Sequence, residues 1–283
     1  MRRMRRVVVT PTGRKRYLEL LYRHLRAQRD EFDSWELWLN TGVPEDVAYA
    51  EHLADTEPWI ALVRRDDLDP RHFCEGGNIF RFFERCEPDS VYLRLDDDVV
   101  YLSPGFVRDM FEFREAHPEY YLVYANIINN AIIAHLHKRA GRVWYPAEPM
   151  YQCMDSVGWK DPAFAETLHR AFLADATAGN EARWKLDDWI LWPAYGERVS
   201  INCISWIGSP GPVGQDEEQW LSVDYPASQG WKNVIHGGAI CSHFAFFTQR
   251  DHLDATDLLA RYAALAPALA PALPSEPAPE AAA

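Results

Sequence analysis

Three consecutive aspartates, Asp96–Asp98, are the strongest chemical signal in the sequence. They follow Val91–Leu95, whose alternating apolar residues predict a buried strand. Carboxylates crowded at the end of such a strand repel one another, and an unpaired buried anion is costly. Solvent would relieve the repulsion if the run were an exposed acidic turn. The run is instead expected where the carboxyl ends of the strands of a sheet meet, which is where ligands bind. We therefore interpret it as a divalent-cation site, because hard cations prefer carboxylate oxygens.

A pair of aspartates, Asp187–Asp188, is the candidate general base, because a carboxylate can take the proton of a hydroxyl nucleophile. We expect Leu186, Trp189 and Ile190 to form the buried face of a short helix that leaves both aspartates toward a cleft. Alternatively, both are helix-start carboxylates stabilised by the helix dipole. Two other acidic positions are less well placed: Asp155 and the run Asp216–Glu218, which we interpret as a solvated turn.

Short β-type runs alternate with helical patterns through the first 130 residues. The predicted strands are Arg6–Thr10, Trp35–Leu39, Trp59–Val63, Val91–Leu95 and Tyr120–Ile128. The predicted helical pieces are one with Leu18, Leu21, Tyr22 and Leu25 on one face, Pro44–Ala54, Phe80–Cys86, and one that Ser103 caps with Pro104 at its first position. This order predicts an α/β fold with a mostly parallel central sheet flanked by helices.

In such sheets, ligands bind outside the carboxyl ends of the strands. We therefore expect four loops to converge on one crevice: Thr10–Lys15, Asn40–Thr41, Arg64–Asp67 and Asp96–Asp98. None of them contains the glycine pattern of a dinucleotide fingerprint or of a nucleoside-triphosphate loop.

The pattern after residue 130 is less regular. Phe164–Leu173 and Trp184–Trp192 are predicted to be helical, and Val199–Trp206 is predicted to be a strand. The chain becomes rich in alanine and proline at about residue 263, which predicts a disordered tail at 263–283. The first six residues form a basic N-terminal arm, and residues 7–262 form a single domain.

Composition excludes some functions. The 283 residues include 29 basic and 42 acidic side chains, a net charge of −13, which argues against a protein that coats a nucleic-acid polymer. The five cysteines lack metal-site spacing and are interpreted as small buried hydrophobes in a reducing compartment. No apolar run is long enough for a membrane span. These features favour a cytoplasmic protein whose early arginines make at most a weak contact with a membrane surface.

The order of strand, Asp-x-Asp, strand and Ser-Pro resembles the D-x-D site of GT-A-fold, nucleotide-sugar-dependent glycosyltransferases. The opening Val-Val-Val-Thr-Pro-Thr-Gly-Arg and the later Trp-Leu-Asn-Thr at Trp38–Thr41 are similar to small bacterial and viral members. The resemblance covers roughly Val7 to Arg250. It implies a GT-A-like, Rossmann-like catalytic domain with a nucleotide-sugar half at about 7–130 and an irregular acceptor half at about 131–262.

In that family the D-x-D carboxylates bind Mn²⁺ or Mg²⁺, which grips the diphosphate of the sugar donor. The resemblance implies that Asp98 is the direct metal ligand and that Asp96 faces the ribose or reaches the metal through water. The role of Asp97 is open, and a run of three permits a register shift of one. A further ligand is expected from a late histidine, His243, kept neutral because its apolar surroundings lower its pKa. Alternatively, His243 is a hydrogen-bonded core histidine, or His236 is the ligand.

The resemblance also implies a nucleotide-binding set at the first strand ends. Thr10, Pro11 and Thr12 are expected along the nucleotide, and Asn40 or Asp66 near its base. Arg14 and Lys15 either neutralise phosphate or are exposed helix charges. The candidates for stacking on acceptor sugars, unless they are core residues, are Trp206, Trp220 and Trp231.

The implied function is metal-dependent transfer of a hexosyl group from a nucleoside-diphosphate sugar to a hydroxyl acceptor, in surface polysaccharide or glycan synthesis. Asp188 is the preferred base and Asp187 the second choice, and a base at this place favours inversion. One alternative is a sugar-phosphate nucleotidyltransferase or a metal-dependent phosphodiesterase, which also cluster carboxylates on α/β sheets. The other is a non-catalytic carbohydrate-binding module.

Overall fold

The computed structural model describes residues 3–74 and 76–269. Its strands are β1 (Arg5–Thr12), β2 (Ser34–Leu39), β3 (Ile60–Val63), β4 (Ser90–Leu95), β5 (Val99–Leu102), β6 (Tyr120–Ile128), β7 (Trp189–Leu191), β8 (Cys203–Ile207) and β9 (Lys232–His243). Its helices are α1 (Lys15–Ala27), α2 (Pro44–Thr56), α3 (Phe106–Ala116), α4 (Ala131–Arg139), α5 (Pro162–Thr177), α6 (Glu217–Gln219), α7 (Tyr225–Gln229), α8 (Arg250–Asp254) and α9 (Leu258–Leu265). A π-helical turn, Trp220–Asp224, joins α6 to α7. The α/β class is therefore as predicted.

The first half of the sheet follows the sequence pattern closely. Strands β3, β2, β1 and β4 are neighbours in that order and pair in parallel. Helix α1 buries the predicted face of Leu18, Leu21, Tyr22 and Leu25. The predicted helical piece Phe80–Cys86 is part of a 3-10 helix, Gly76–Arg85.

The predicted N-cap of α3 is wrong. Ser103 and Pro104 lie in a turn in which the Phe106 amide donates to the Ser103 carbonyl at 3.0 Å. The helix begins only after Gly105, whose φ of 76° is left-handed and favours glycine at this position.

The sheet is mixed, so the prediction of a mostly parallel sheet is wrong. Its full order is β3-β2-β1-β4-β8-β6-β9-β5, with β7 as an additional partner of β9. Strand β8 runs antiparallel to both β4 and β6, and β9 pairs antiparallel with β5 and β7 but parallel with β6. None of these antiparallel pairs joins strands that are consecutive in the chain, so long-range pairing sets the strand directions in this half.

The link between β4 and β5 shows that the sheet curls. Only Asp96–Asp98 separate these two strands, yet they stand four places apart in the sheet order. Four strand spacings in a flat sheet are about 19 Å. Four residue steps reach at most about 14 Å. The aspartate run therefore crosses the inside of a curved sheet, where its side chains face several strands at once.

The predicted helix Trp184–Trp192 is also wrong. A 3-10 helix ends at Trp184, and the chain continues extended into β7. Aromatic and β-branched residues such as Trp189 and Ile190 favour strands, and β9 supplies the pairing partner. The strand predicted at Val199–Trp206 corresponds to β8, which is shorter and begins at Cys203.

Two terminal boundaries differ from the predictions. Helix α9 runs to Leu265, and Arg23 of α1 donates to the carbonyls of Ala263 and Pro267 at 2.9 Å each. The predicted tail therefore starts too early, and its residues 270–283 lie outside the described residues. At the other end Arg5 and Arg6 belong to β1 rather than to a free arm. Among the described residues, no helix has the length and apolarity to cross a membrane.

Candidate functional site

A cleft of about 1190 Å³ opens where β1, β2 and β4 end. Three of the four loops expected to meet do converge on it, and the predicted residues that line it are Pro11, Thr12, Asn40, Asp96, Asp97, Asp98 and His243. Asp66 is exposed and does not line the cleft. Thr10 does not line it either, because it is fully buried, and its hydroxyl accepts a 2.9 Å hydrogen bond from Trp35 Nε1. The expected roles of these two residues therefore have no support in the geometry.

Asp97 holds the loop between β1 and α1 through hydrogen bonds. Its carboxylate accepts from the Gly13 amide at 2.9 Å and from Arg14 Nε at 3.0 Å. Burial raises the pKa of Asp97, and the Arg14 guanidinium opposes that rise. The middle aspartate therefore positions Arg14 at the cleft.

Asp98 has a buried carboxylate, one oxygen of which has no hydrogen-bond partner. It is 2% exposed, and Arg14 Nη1 and Arg250 Nη2 lie 2.9 and 3.5 Å from its Oδ2. Burial alone would raise its pKa, but the charges of Arg14, His243 and Arg250 hold the pKa well below its usual range. Its Oδ1 is buried without a hydrogen-bond partner and lies 3.5 Å from His243 Nε2.

His243 ends β9 and presents Nε2 to Asp98. Its Nδ1 lies 3.0 Å from the Asn129 carbonyl, which can only accept, so Nδ1 carries a proton. Burial would lower the pKa of His243, but the Asp98 carboxylate outweighs it and the pKa is raised. The predicted lowering is therefore wrong, because the ring faces an anion and not an apolar wall. The alternative, His236, does not line the cleft and stacks on Phe113 at 4.1 Å.

Asp96 is held by a buried arginine on the preceding strand. Arg94 Nη2 and Nε lie 2.9 and 3.0 Å from Asp96 Oδ1, and Asn202 Nδ2 donates to Oδ2 at 3.3 Å. Burial raises the pKa of Asp96, with Arg94 opposing the rise. Arg94 also reaches across to Glu217, whose Oε1 lies 3.4 Å from Arg94 Nη1.

The acidic run Asp216–Glu218 lines the cleft, although the sequence interpretation placed it in a solvated turn. Glu217 is 5% exposed, and its Oε2 has no hydrogen-bond partner. Burial raises the pKa of Glu217 to about 8, with Arg94 opposing. The missed signal is a helix start: the Asp216 carboxylate accepts from the Gln219 amide at 3.1 Å, and an Asp followed three residues later by Gln is a capping pattern.

Asp187 and Asp188 do not line the cleft, so the prediction that they face it is wrong. The Asp188 Oδ1 accepts from the Gly237 amide at 2.9 Å and lies 3.0 Å from His236 Nδ1. The side chain of Asp188 is 48% exposed. The segment is extended, and its residues 187–190 are all exposed, so it has no buried face there that could direct the aspartates inward.

The three tryptophans expected to stack on acceptor sugars do not line the cleft either. Trp206 is buried and stacks on Tyr92 at 5.2 Å, Trp220 stacks on Tyr225 at 5.7 Å, and Trp231 is on the surface. Large apolar side chains that do line the cleft include Met154, Trp159, Phe246 and Phe247.

The residues present fit a cation that takes few protein ligands. No group of three or more His, Cys, Asp or Glu side chains suited to a metal occurs within the described ranges. Nevertheless, the unbonded Asp98 Oδ1 and the His243 Nε2, 3.5 Å apart, can both be ligands of one ion. Mg²⁺ is commonly held by one or two carboxylates, with waters and substrate phosphates completing its shell. Imidazole nitrogen is also an acceptable ligand for a divalent transition metal.

No protein-family model matches the chain, and no curated protein matches its sequence. The functional interpretation therefore rests on the geometry of the cleft.

Proposed function

We propose that the protein is a metal-dependent, GT-A-like glycosyltransferase that moves a hexosyl group from a nucleoside-diphosphate sugar to a hydroxyl acceptor. The observation that carries this proposal is the Asp98 carboxylate, which is buried and has no hydrogen-bond partner at Oδ1, beside His243 Nε2. Two guanidinium groups, Arg14 and Arg250, flank the same carboxylate. A cation site next to two arginines suits the diphosphate of a sugar donor.

Asp98 and His243 would hold Mn²⁺ or Mg²⁺, and Asp96 would reach it through water or face the ribose. Such a cation stabilises the negative charge that develops on a departing diphosphate. Arg250 lines the cleft, and its buried Nε has no hydrogen-bond partner in the fold. This donor is available to a phosphate oxygen, which would make Arg250 a second source of charge stabilisation.

The nucleoside would lie along the part of the cleft that β1 and β2 form. Pro11, Thr12 and Asn40 line this part, together with the apolar side chains of Phe73 and Ile79. An aromatic ring beside polar strand ends can stack on a base and leave hydrogen bonds to the sugar. The acceptor would enter past the apolar residues on the other side.

Glu217 replaces Asp188 as the proposed general base. It lies in the cleft wall, Arg94 holds its Oε1, and its Oε2 has no partner. A general base is most effective when its pKa lies near the operating pH, and the pKa of Glu217 is about 8. A base separate from the Asp98 site favours an inverting transfer. We place this reaction in surface polysaccharide or glycan synthesis in the cytoplasm, as part of the proposal.

The proposal is tested by incubating the protein with a panel of nucleoside-diphosphate sugars and Mn²⁺ and measuring release of the nucleoside diphosphate. We expect release from at least one donor, with loss on chelation and in Asp98→Asn but not in Asp188→Asn. Release that is indifferent to both chelation and Asp98→Asn would overturn the proposal. Pyrophosphate release from a nucleoside triphosphate and a sugar phosphate would favour nucleotidyl transfer instead. Sugar binding that needs neither metal nor nucleotide would favour a binding module.

A further inference from the structure

An exposed apolar surface surrounds strand β7. We call it the β7 patch and define it as Trp189, Ile190, Trp192, Tyr195 and Trp231, which are 39, 41, 42, 83 and 43% exposed. Strand β7 itself pairs with β9 and with no other strand of the described residues. Its second edge therefore has no strand partner among the described residues, although the Trp192 amide just beyond it donates to the Glu197 carboxylate.

The rings of the β7 patch are held in place by neighbours. Trp189 Nε1 donates to the Tyr151 hydroxyl at 2.8 Å, and the Lys232 ammonium lies 4.1 Å from the centre of the Trp192 ring. Trp231 stacks on Tyr121 at 5.6 Å with an interplanar angle of 21°. Because these side chains are already ordered, covering them costs little further conformational entropy.

The β7 patch is large enough to be the apolar centre of a protein interface, with further surface needed around it. Each aromatic side chain carries about 150–250 Å² of surface. The exposed parts of the residues of the β7 patch therefore add up to on the order of 500 Å². A standard interface covers about 800 Å² on each partner. Strand β7, Trp189–Leu191, contains no lysine or proline, which are among the residues that protect an edge strand from pairing with another chain.

We propose that β7 pairs antiparallel with β7 of a second copy of this chain around a two-fold axis, forming a homodimer. An isologous contact of this kind uses one patch twice and closes without leaving a free edge. The inference does not depend on the proposed function, because the residues of the β7 patch do not line the cleft.

Charge complementarity supports a second copy as the occupant. If the two strands cross at Ile190, Asp188 of one copy lies opposite Trp192 of the other. Lys232 covers that Trp192 ring, and Asp188 is half exposed, so each copy brings an ammonium toward the carboxylate of its partner. The two-fold axis makes this attraction twice.

Sedimentation equilibrium of the purified full chain, from about 1 to about 100 µM, tests the proposal. We expect a mass of twice 32.6 kDa at the upper end. Ile190→Lys would bring two ammonium groups face to face and weaken the dimer at least about 100-fold. The matched control is Trp144→Lys, which changes a tryptophan that is 79% exposed and outside the β7 patch and should leave the mass unchanged.

Exchanging the charges of Asp188 and Lys232 tests the register of the two β7 strands independently of Ile190→Lys. Circular dichroism verifies that the Ile190→Lys variant folds. Asp188→Lys and Lys232→Asp should each weaken the dimer about 10-fold, and the double variant should restore it. A single-chain mass at the highest concentration, or equal weakening by Trp144→Lys, would overturn the proposal. Failure of the double variant to restore the dimer would overturn the pairing around Ile190.

Discussion

Two acidic runs that look alike in the sequence lie in different environments. Asp96–Asp98 follow a central strand and have side chains that are 20, 3 and 3% exposed, with arginines on each of them. Asp188 precedes an edge strand, is 48% exposed, and contacts a backbone amide and a histidine. Burial among cations changes the pKa values of the first run, and Asp98 Oδ1 has no hydrogen-bond partner there.

The difference follows from position in the sheet. Strand β4 lies between β1 and β8, so its carboxyl end meets loops from both halves of the chain. Strand β7 contacts only β9 among the strands described, so its neighbourhood is mostly solvent. Central strand ends collect partners, and the chemistry of a carboxylate depends on those partners.

Asp98→Asn should have the largest effect on activity and so separate the two acidic runs most clearly. We expect donor turnover with Mn²⁺ to fall about 1,000-fold, because the variant loses the charge that would hold the cation while Arg14 keeps its contacts with Asp97. Release of nucleoside diphosphate is the measurement. Asp188→Asn is the control and should lose less than about 3-fold. Equal losses in the two variants would contradict the contrast between the runs.

Glu217→Gln should lower turnover about 100-fold if this side chain takes the acceptor proton. It should also change the pH dependence of stability. The folded pKa of about 8 lies above the usual 4.5, so the stabilisation from the neutral carboxyl is complete below about 4.5 and is lost as pH rises through about 8. The melting temperature of the natural chain should therefore fall relative to Glu217→Gln between pH 5 and pH 8.5. Parallel melting curves would refute this assignment.

Gly237→Ala tests how firmly the fold holds the second acidic run, Asp187–Asp188. An added Cβ would lie 2.0 Å from the Leu186 carbonyl oxygen, so the backbone before Asp187 would have to move. We expect a loss of about 2 kcal/mol in the free energy of unfolding, measured with urea. Gly214→Ala is the control, since its Cβ would meet only the Trp220 ring at 3.7 Å. An unchanged midpoint would show that this contact does not hold the segment.

Asp188→Asn should have the smallest effect on stability, below about 0.5 kcal/mol. The side chain is half exposed, and an amide oxygen can still accept from the Gly237 amide. Urea denaturation measures the change. A loss above about 2 kcal/mol would mean that the Asp188 and His236 pair is a structural centre of its own.

Local patterns were sufficient for the first half of the fold. Strand β6 has the predicted bounds, Tyr120–Ile128, and helix α1 buries the predicted face. Each of these elements is decided by residues within about a dozen positions, and parallel strand ends meet by the rules of α/β sheets. The convergence of Thr12, Asn40 and Asp98 on one cleft was therefore predictable.

Long-range pairing decided what the sequence did not predict. Trp189 and Ile190 form a strand because β9, more than forty residues later, offers an edge. Glu217 lies in the cleft wall against Arg94 of β4, which is 123 residues earlier in the chain. The raised pKa of His243 depends on Asp98, which β5 and β9 bring beside it. None of these contacts has a local signal except the capping pattern at Asp216.

Calorimetric titration of nucleoside diphosphates, with and without Mn²⁺, tests the central claim most directly. The natural chain and Asp188→Asn should bind at least one nucleoside diphosphate, and only when Mn²⁺ is present. Asp98→Asn should lose that binding while keeping its melting temperature within about 5 °C. Binding that is independent of Mn²⁺, or equal in Asp98→Asn and the natural chain, would contradict a cation site at Asp98 and His243.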